Sequence, residues 1–208
     1  LDNAAFPWMA ARPIEIGSAR LLALRLSYAG ELGYELHVPM EHVREVFGRL
    51  LDAGKPHGLA LFGIHALESM RLEKCYRAWG ADLVTEYTPF ETGLGRFVDL
   101  EKGDFIGRER LIARKAAGLA ERLVPLVLAD GDSDAVPVAR VLAAGRQVGL
   151  VGSAGFGHRI GRSIALAYVA ADHAEPGTAL QVEVLGEPRP AVVATEPLFD
   201  PENARLRG

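Results

Sequence analysis

Between residues 22 and 28, large apolar side chains alternate with smaller or polar ones: Leu22, Leu24, Leu26 and Tyr28 against Ala23, Arg25 and Ser27. Residues 34–38 repeat the pattern, with Tyr34, Leu36 and Val38 against Glu35 and His37. A two-residue period is that of a half-buried strand. Ala29-Gly30-Glu31-Leu32-Gly33 joins the runs with two glycines suited to a tight connection, so the runs are expected to pair as a hairpin. Pro39 ends the second strand, and the period then lengthens. Val43, Val46, Phe47, Leu50 and Leu51 fall at helical spacing with Gly54 as a stop. Ile64, Leu67 and Met70 mark a second helix over about 64–73, where Glu68 and Arg71 stand three apart as a surface pair. Thr88-Pro89-Phe90-Glu91 has the features of a helix start: a hydroxyl cap, proline in first position and a glutamate that reaches back.

The pattern changes again at Ala116-Ala117-Gly118-Leu119-Ala120, the expected domain boundary. Short alternating runs follow at 122–128, 140–143, 147–151, 164–169, 180–184 and 191–194, which read as a small antiparallel barrel or sandwich. Ala144-Gly145-Arg146 and Gly186-Glu187-Pro188 mark hairpin turns. Pro188 and Pro190 belong at an edge. Gly152 to Gly161 is expected to be a loop.

With 208 residues and 49% hydrophobic content the chain has ample material for a core. Its net charge of −4, with lysine and arginine scattered, leaves no basic stripe, so no nucleic-acid partner is expected. No apolar run approaches a membrane span and the first residues lack the layout of a signal peptide, which points to a cytoplasmic protein, or a mitochondrial matrix one in a eukaryote. A single cysteine, Cys75, excludes an internal disulfide and a cysteine metal cluster, and the six histidines lack metal-ligand spacing, so no metal is expected. Cys75 itself reads as a small hydrophobe. Glu35 is either an ordinary solvent-face carboxylate or a fixed acceptor in a pocket beside Tyr28. Tyr76 and Trp79 either anchor their charged loop or cap a pocket with flat apolar area.

The segment Ser27-Tyr28-Ala29-Gly30-Glu31-Leu32-Gly33-Tyr34-Glu35 resembles the signature of the glycine-cleavage T-protein (aminomethyltransferase) superfamily, which includes the folate-binding C-terminal regions of sarcosine and dimethylglycine dehydrogenases. Residues 66–83 are a second match, and Lys74, Tyr76, Arg77, Trp79-Gly80 and Asp82 resemble the dehydrogenase branch. Leu67 stands where T-proteins carry a folate-contacting arginine. Residues 92–98, 105–111 and 199–207 are similar to the same superfamily, and the match at 105–111 implies a helix that runs to about Lys115.

The resemblance implies an α+β protein, with a partial folate-binding aminomethyltransferase-like domain at 1–118 and a small antiparallel β-barrel domain at 119–208. It implies tetrahydrofolate as cofactor, with Glu35 holding the pterin ring and Tyr28 lining the same pocket. A carboxylate suits a pterin because its two oxygens accept from a ring N–H and the exocyclic amine in one plane. The implied function is a one-carbon transfer unit that takes its group from an amine-derived donor, with FAD only if an upstream domain exists. Leu1 to Met9 resemble an interior segment of the superfamily, whose catalytic aspartate is then expected upstream of Leu1. No catalytic residue is assigned within the chain, which alone is expected not to turn over and to need a missing N-terminal half or partner subunit. The alternative is a non-catalytic folate-binding or interaction fragment.

Overall fold

The computed structural model describes residues 3–129, 131 and 133–207. The chain divides into two compact units, Leu1–Met70 with Asp200–Gly208, and Arg71–Phe199.

The first unit is built on a three-stranded antiparallel sheet in the order β1 (Ala11–Ile16), β2 (Ala19–Leu24), β3 (Glu35–His37). The expected hairpin is present as the β2–β3 pair, with Leu22 opposite His37, Ala23 opposite Leu36 and Leu24 opposite Glu35. Its arms are shorter than the alternation suggested, and residues 25–34 form the connection. The phase is also inverted. Ala19, Leu21 and Ala23 are buried, whereas Leu22 is 41% exposed. Leu21-Leu22-Ala23-Leu24 places apolar residues on both faces, so alternation alone does not choose the inner one; packing does. The inner face meets α1 (Val43–Gly54) through Val46, with Ile14, Ile16, Leu36 and Val38 packed around it. Val46 is the one buried residue of the expected α1 stripe, while Val43 and Phe47 stay 49% exposed. The β1–β2 turn is tied to the helix by Ser18, whose hydroxyl donates to Glu45 Oε2 at 2.7 Å and whose N–H donates to Glu45 Oε1 at 3.3 Å.

The division between units falls within α2 (Ile64–Glu73), which matches the expected second helix. In the second unit the six expected strands are β4 (Glu121–Leu128), β5 (Arg140–Ala143), β6 (Arg146–Gly157), β7 (Arg162–Ala170), β8 (Ala179–Val184) and β9 (Glu187–Val193). They close into an antiparallel barrel in the order β4-β7-β6-β5-β8-β9. Inside it lie Leu126, Leu128, Val141, Val151, Ala165, Ala167, Val182 and Val193. β7 is buried on both faces, because its outward Ile164, Leu166 and Tyr168 are covered by Leu72, Cys75 and Leu123. Pro188 and Pro190 pair with Glu183 and Gln181 of β8, and pairing with β4 begins only at Ala191, so the prolines occupy a local edge.

Two local expectations are corrected. Thr88-Pro89-Phe90-Glu91 starts no α-helix: the Thr88 N–H donates to Glu91 Oε2 at 2.9 Å in the manner of a capping box, but only turns and a 3-10 segment at Gly95–Phe97 follow. The chain spends its glycines there, at Gly93 and Gly95, and the helix propensity is lost. The other is the expected loop at 152–161, much of which is strand. β6 continues to Gly157, with Gly152 as a bulge between the pairs Val151–Ala167 and Ser153–Leu166. α3 (Arg108–Ala117) forms as expected, with no buried residue.

Candidate functional site

In the first unit the connection from Arg25 to Tyr34 is pinned at both ends. Arg25 is 1% exposed; its Nη1 donates to the Phe6 carbonyl at 2.6 Å and its Nη2 to the Arg207 carbonyl at 2.8 Å. The Arg25 backbone adds bonds to Met9 and Ala10. At the other end Tyr34 packs edge-on against Phe6, ring centroids 5.4 Å apart. Between them Gly30 adopts φ +72°, the left-handed conformation expected of it. Arg25 was legible only as a polar-face residue. Its role as a buried anchor depends on carbonyls far away in sequence.

On this frame Tyr28 is half-buried within the connection, and Glu35 is exposed as the first residue of β3, beside Leu24 on the face turned away from the core. Among the described residues the Glu35 side chain takes part in no hydrogen bond or ion pair. Glu31, in the same connection, meets Arg205 Nε at 3.3 Å.

In the second unit the loop after α2 is locked onto the barrel by buried charge. Arg71 and Asp82 are 2% and 0% exposed. Arg71 Nη1 donates to Asp82 Oδ2 at 3.0 Å and to Ser153 Oγ at 2.8 Å, and Ser153 Oγ lies 2.7 Å from both Asp82 oxygens. The Ala78 N–H donates to Asp82 Oδ2 at 2.8 Å, and the Tyr168 hydroxyl donates to the Asp82 carbonyl at 2.6 Å. The bulge at Gly152 makes this approach possible: a Cβ there would sit 2.7 Å from Asp82 Oδ1. Arg71 is thus the keystone of a buried network and not half of a surface pair. Glu73, 1% exposed, accepts from the Arg159 and Ile160 N–H groups and so holds the β6–β7 turn. Burial pushes the Cys75 thiol up to about 12, so it behaves as the expected small hydrophobe.

Arg77 fastens the same loop further along, donating to the Cys75 and Thr92 carbonyls and pairing with Glu196 at 2.7 Å. Trp79 is 90% exposed, so it does not anchor the loop. It stands at an apolar cavity of about 640 Å³ walled by Leu83, Val84, Tyr87, Pro89 and Leu94. A second, more polar hollow of about 460 Å³ opens on the other flank of Tyr87. Tyr87 stacks on Tyr168 with centroids 3.5 Å apart and donates to Glu121 Oε2 at 3.0 Å; burial, then that bond, push its hydroxyl up to about 12.

Comparison with known proteins gives concordant matches. The sequence profile described as "GCVT N-terminal domain" matches residues 1–102, and that of the "Glycine cleavage T-protein C-terminal barrel domain" matches residues 121–200. The chain is 38% identical over its whole length to mitochondrial dimethylglycine dehydrogenase of Mus musculus, of which it covers 24%. It is 39% identical over 89% of its length to the aminomethyltransferase of Saccharopolyspora erythraea, of which it covers 51%. The crystal structure of glycine cleavage system aminomethyltransferase T from Bartonella henselae superposes with a TM-score of 0.80 at 25% identity, over 87% of this chain and 50% of that one. The chain therefore spans about a quarter of the dehydrogenase and about half of the aminomethyltransferases.

Proposed function

The chain belongs to the glycine-cleavage T-protein (aminomethyltransferase) superfamily, and on that premise we propose that it forms part of a tetrahydrofolate-dependent one-carbon transfer unit of the amine-demethylating or glycine-cleavage type. Glu35 holds the pterin ring and Tyr28 lines the same pocket. The observation that carries this reading is the state of Glu35: a carboxylate with no side-chain partner among the described residues, on a strand whose entry connection is pinned by buried Arg25. Two free oxygens in one plane match the paired N–H donors of a pterin. Tetrahydrofolate would supply the nucleophilic nitrogen that takes up the one-carbon group from an amine-derived donor. This chain's residues orient the ring.

A carboxylate that handles the proton would be supplied by an N-terminal half or a partner subunit, and FAD enters only if an upstream domain exists. Val43 and Phe47 of α1, half-exposed, and Leu61 and Phe62, at 69% and 64% exposure, are apolar side chains that such a half would cover. The setting is the cytoplasm, or the mitochondrial matrix in a eukaryote. Turnover by the chain alone, abolished by a substitution within it, would overturn the assignment of the proton-handling group.

Calorimetry with folinic acid on the chain and on Glu35→Gln tests the pocket. A charge-assisted hydrogen bond contributes about 1.5–3 kcal/mol, so loss of one should weaken binding by about tenfold to a hundredfold. Equal binding by both proteins would refute the role of Glu35.

A further inference from the structure

We propose that the hollow on the outer wall of the barrel beside Tyr87 binds a small zwitterion, a molecule with an ammonium at one end and a carboxylate at the other. This does not rest on the folate reading.

Strand register makes the hollow. Tyr168 of β7 lies between Leu123 of β4 and Leu150 of β6, and Tyr87 covers this row by stacking on Tyr168. Two residues along, Ala170 lies opposite Glu121 of β4. On the other side, the β6–β7 pairing ends at Gly149 with Val169, and Val148 and Ala170 both line the hollow. A tyrosine in one row is thus followed by a single methyl in the next, which leaves the space of about 460 Å³. The 3-10 turn Ala171–His173 closes the end. From β6, Arg146, Val148 and Leu150 line the hollow.

The charges then select the ligand. Glu121 stands on one side, fixed by the Tyr87 hydroxyl at Oε2, and its Oε1 accepts no hydrogen bond among the described residues. Because the Tyr87 hydroxyl is pushed up to about 12, it stays protonated and holds Glu121 as a donor. Arg146 stands on the other side at the β5–β6 turn, exposed and without an ion-pair or hydrogen-bond partner among the described residues. β4 and β6 flank β7, so the two backbones are two strand spacings apart, about 10 Å, a gap that both long side chains can narrow. Asp172, with His173 3.9 Å away, adds a second acid to the rim. A simple anion would meet Glu121 and Asp172, and a simple cation would meet Arg146. A molecule with both signs satisfies both ends and lays its methylenes on Val148 and Ala170.

The probe is 4-aminobutanoate, with butanoate and butylamine as its two halves, titrated into the whole chain by NMR and by near-UV circular dichroism of the tyrosine pair. The expected result is saturable binding of 4-aminobutanoate, with each half weaker by about tenfold or more. Arg146→Ala and Glu121→Gln should each weaken it by about fivefold or more, and Arg146→Lys should restore most of the loss. Butanoate or butylamine binding as well as 4-aminobutanoate would make this a single-charge site and overturn the proposal. So would unchanged affinity in both variants, or no saturation by 4-aminobutanoate up to about 50 mM, an affinity too weak for a specific site.

Discussion

Removing the Asp82 carboxylate should be among the most damaging single changes in the barrel unit. Asp82 is fully buried and faces Arg71 Nη1 at 3.0 Å, Ser153 Oγ at 2.7 Å and the Ala78 N–H at 2.8 Å. Asp82→Ala leaves the Arg71 guanidinium, only 2% exposed, without its counter-charge. Breaking a buried pair by deleting one partner costs about 3–5 kcal/mol, against a typical domain stability of about 5–15 kcal/mol. For a unit of this size that corresponds to a fall in Tm of roughly 10–20 °C. Near-UV circular dichroism is the assay, because the stacked Tyr87–Tyr168 pair reports on the same wall and the Tyr168 hydroxyl bonds the Asp82 carbonyl. The paired substitution Arg71→Met with Asp82→Leu separates a lost ion pair from lost packing. It removes both charges at once and should cost less than the sum of the single changes by about 1–3 kcal/mol. A cost for Asp82→Ala below about 1 kcal/mol, or strict additivity, would refute the view that this network locks the loop to the barrel.

Two further predictions concern the first unit and the domain boundary. Ser18, first through its hydroxyl and then through its N–H, together with Arg49 holds the Glu45 carboxyl at about 2 in place of its ordinary 4.5. A depressed carboxylate contributes stability above its ordinary value and loses it as pH falls toward 2, so Glu45→Gln should lower stability in denaturant titrations at neutral pH and the gap to wild type should close in acid. A gap that persists unchanged at acid pH would count against it. We also propose that the boundary between domains 1–118 and 119–208 lies at Gly118, inside the compact unit Arg71–Phe199, where φ is +80° and the preceding α3 buries nothing. Brief digestion with proteinase K should cut first between Lys115 and Arg122; first cuts within Leu123 to Leu128 would contradict it.

The α-helices at 43–54 and 64–73 and the six barrel strands could be read from the sequence because each carries its own period, and the helix at 108–117 came from the resemblance at 105–111. The superfamily was legible in the nine residues from Ser27 to Glu35, where glycine spacing and side-chain chemistry are local properties. Whether the late strands make a sandwich or a barrel was decided only by the β4–β9 pairing, which joins residues more than sixty apart. The inner face of β2 was likewise a tertiary choice, since leucines stand on both faces and only contact with Val46 breaks the tie. The helix signal at Thr88 was real as a cap and empty as a helix, because a cap satisfies its own donors whether or not later turns follow. Most hidden of all were the charges. Arg25 is buried against the carbonyls of Phe6 and Arg207, and Arg71 against Asp82 and Ser153. Sequence patterns assign charged residues to solvent because burying a lone charge is so costly, and they carry no record of a partner brought from the far end of the chain to offset that cost.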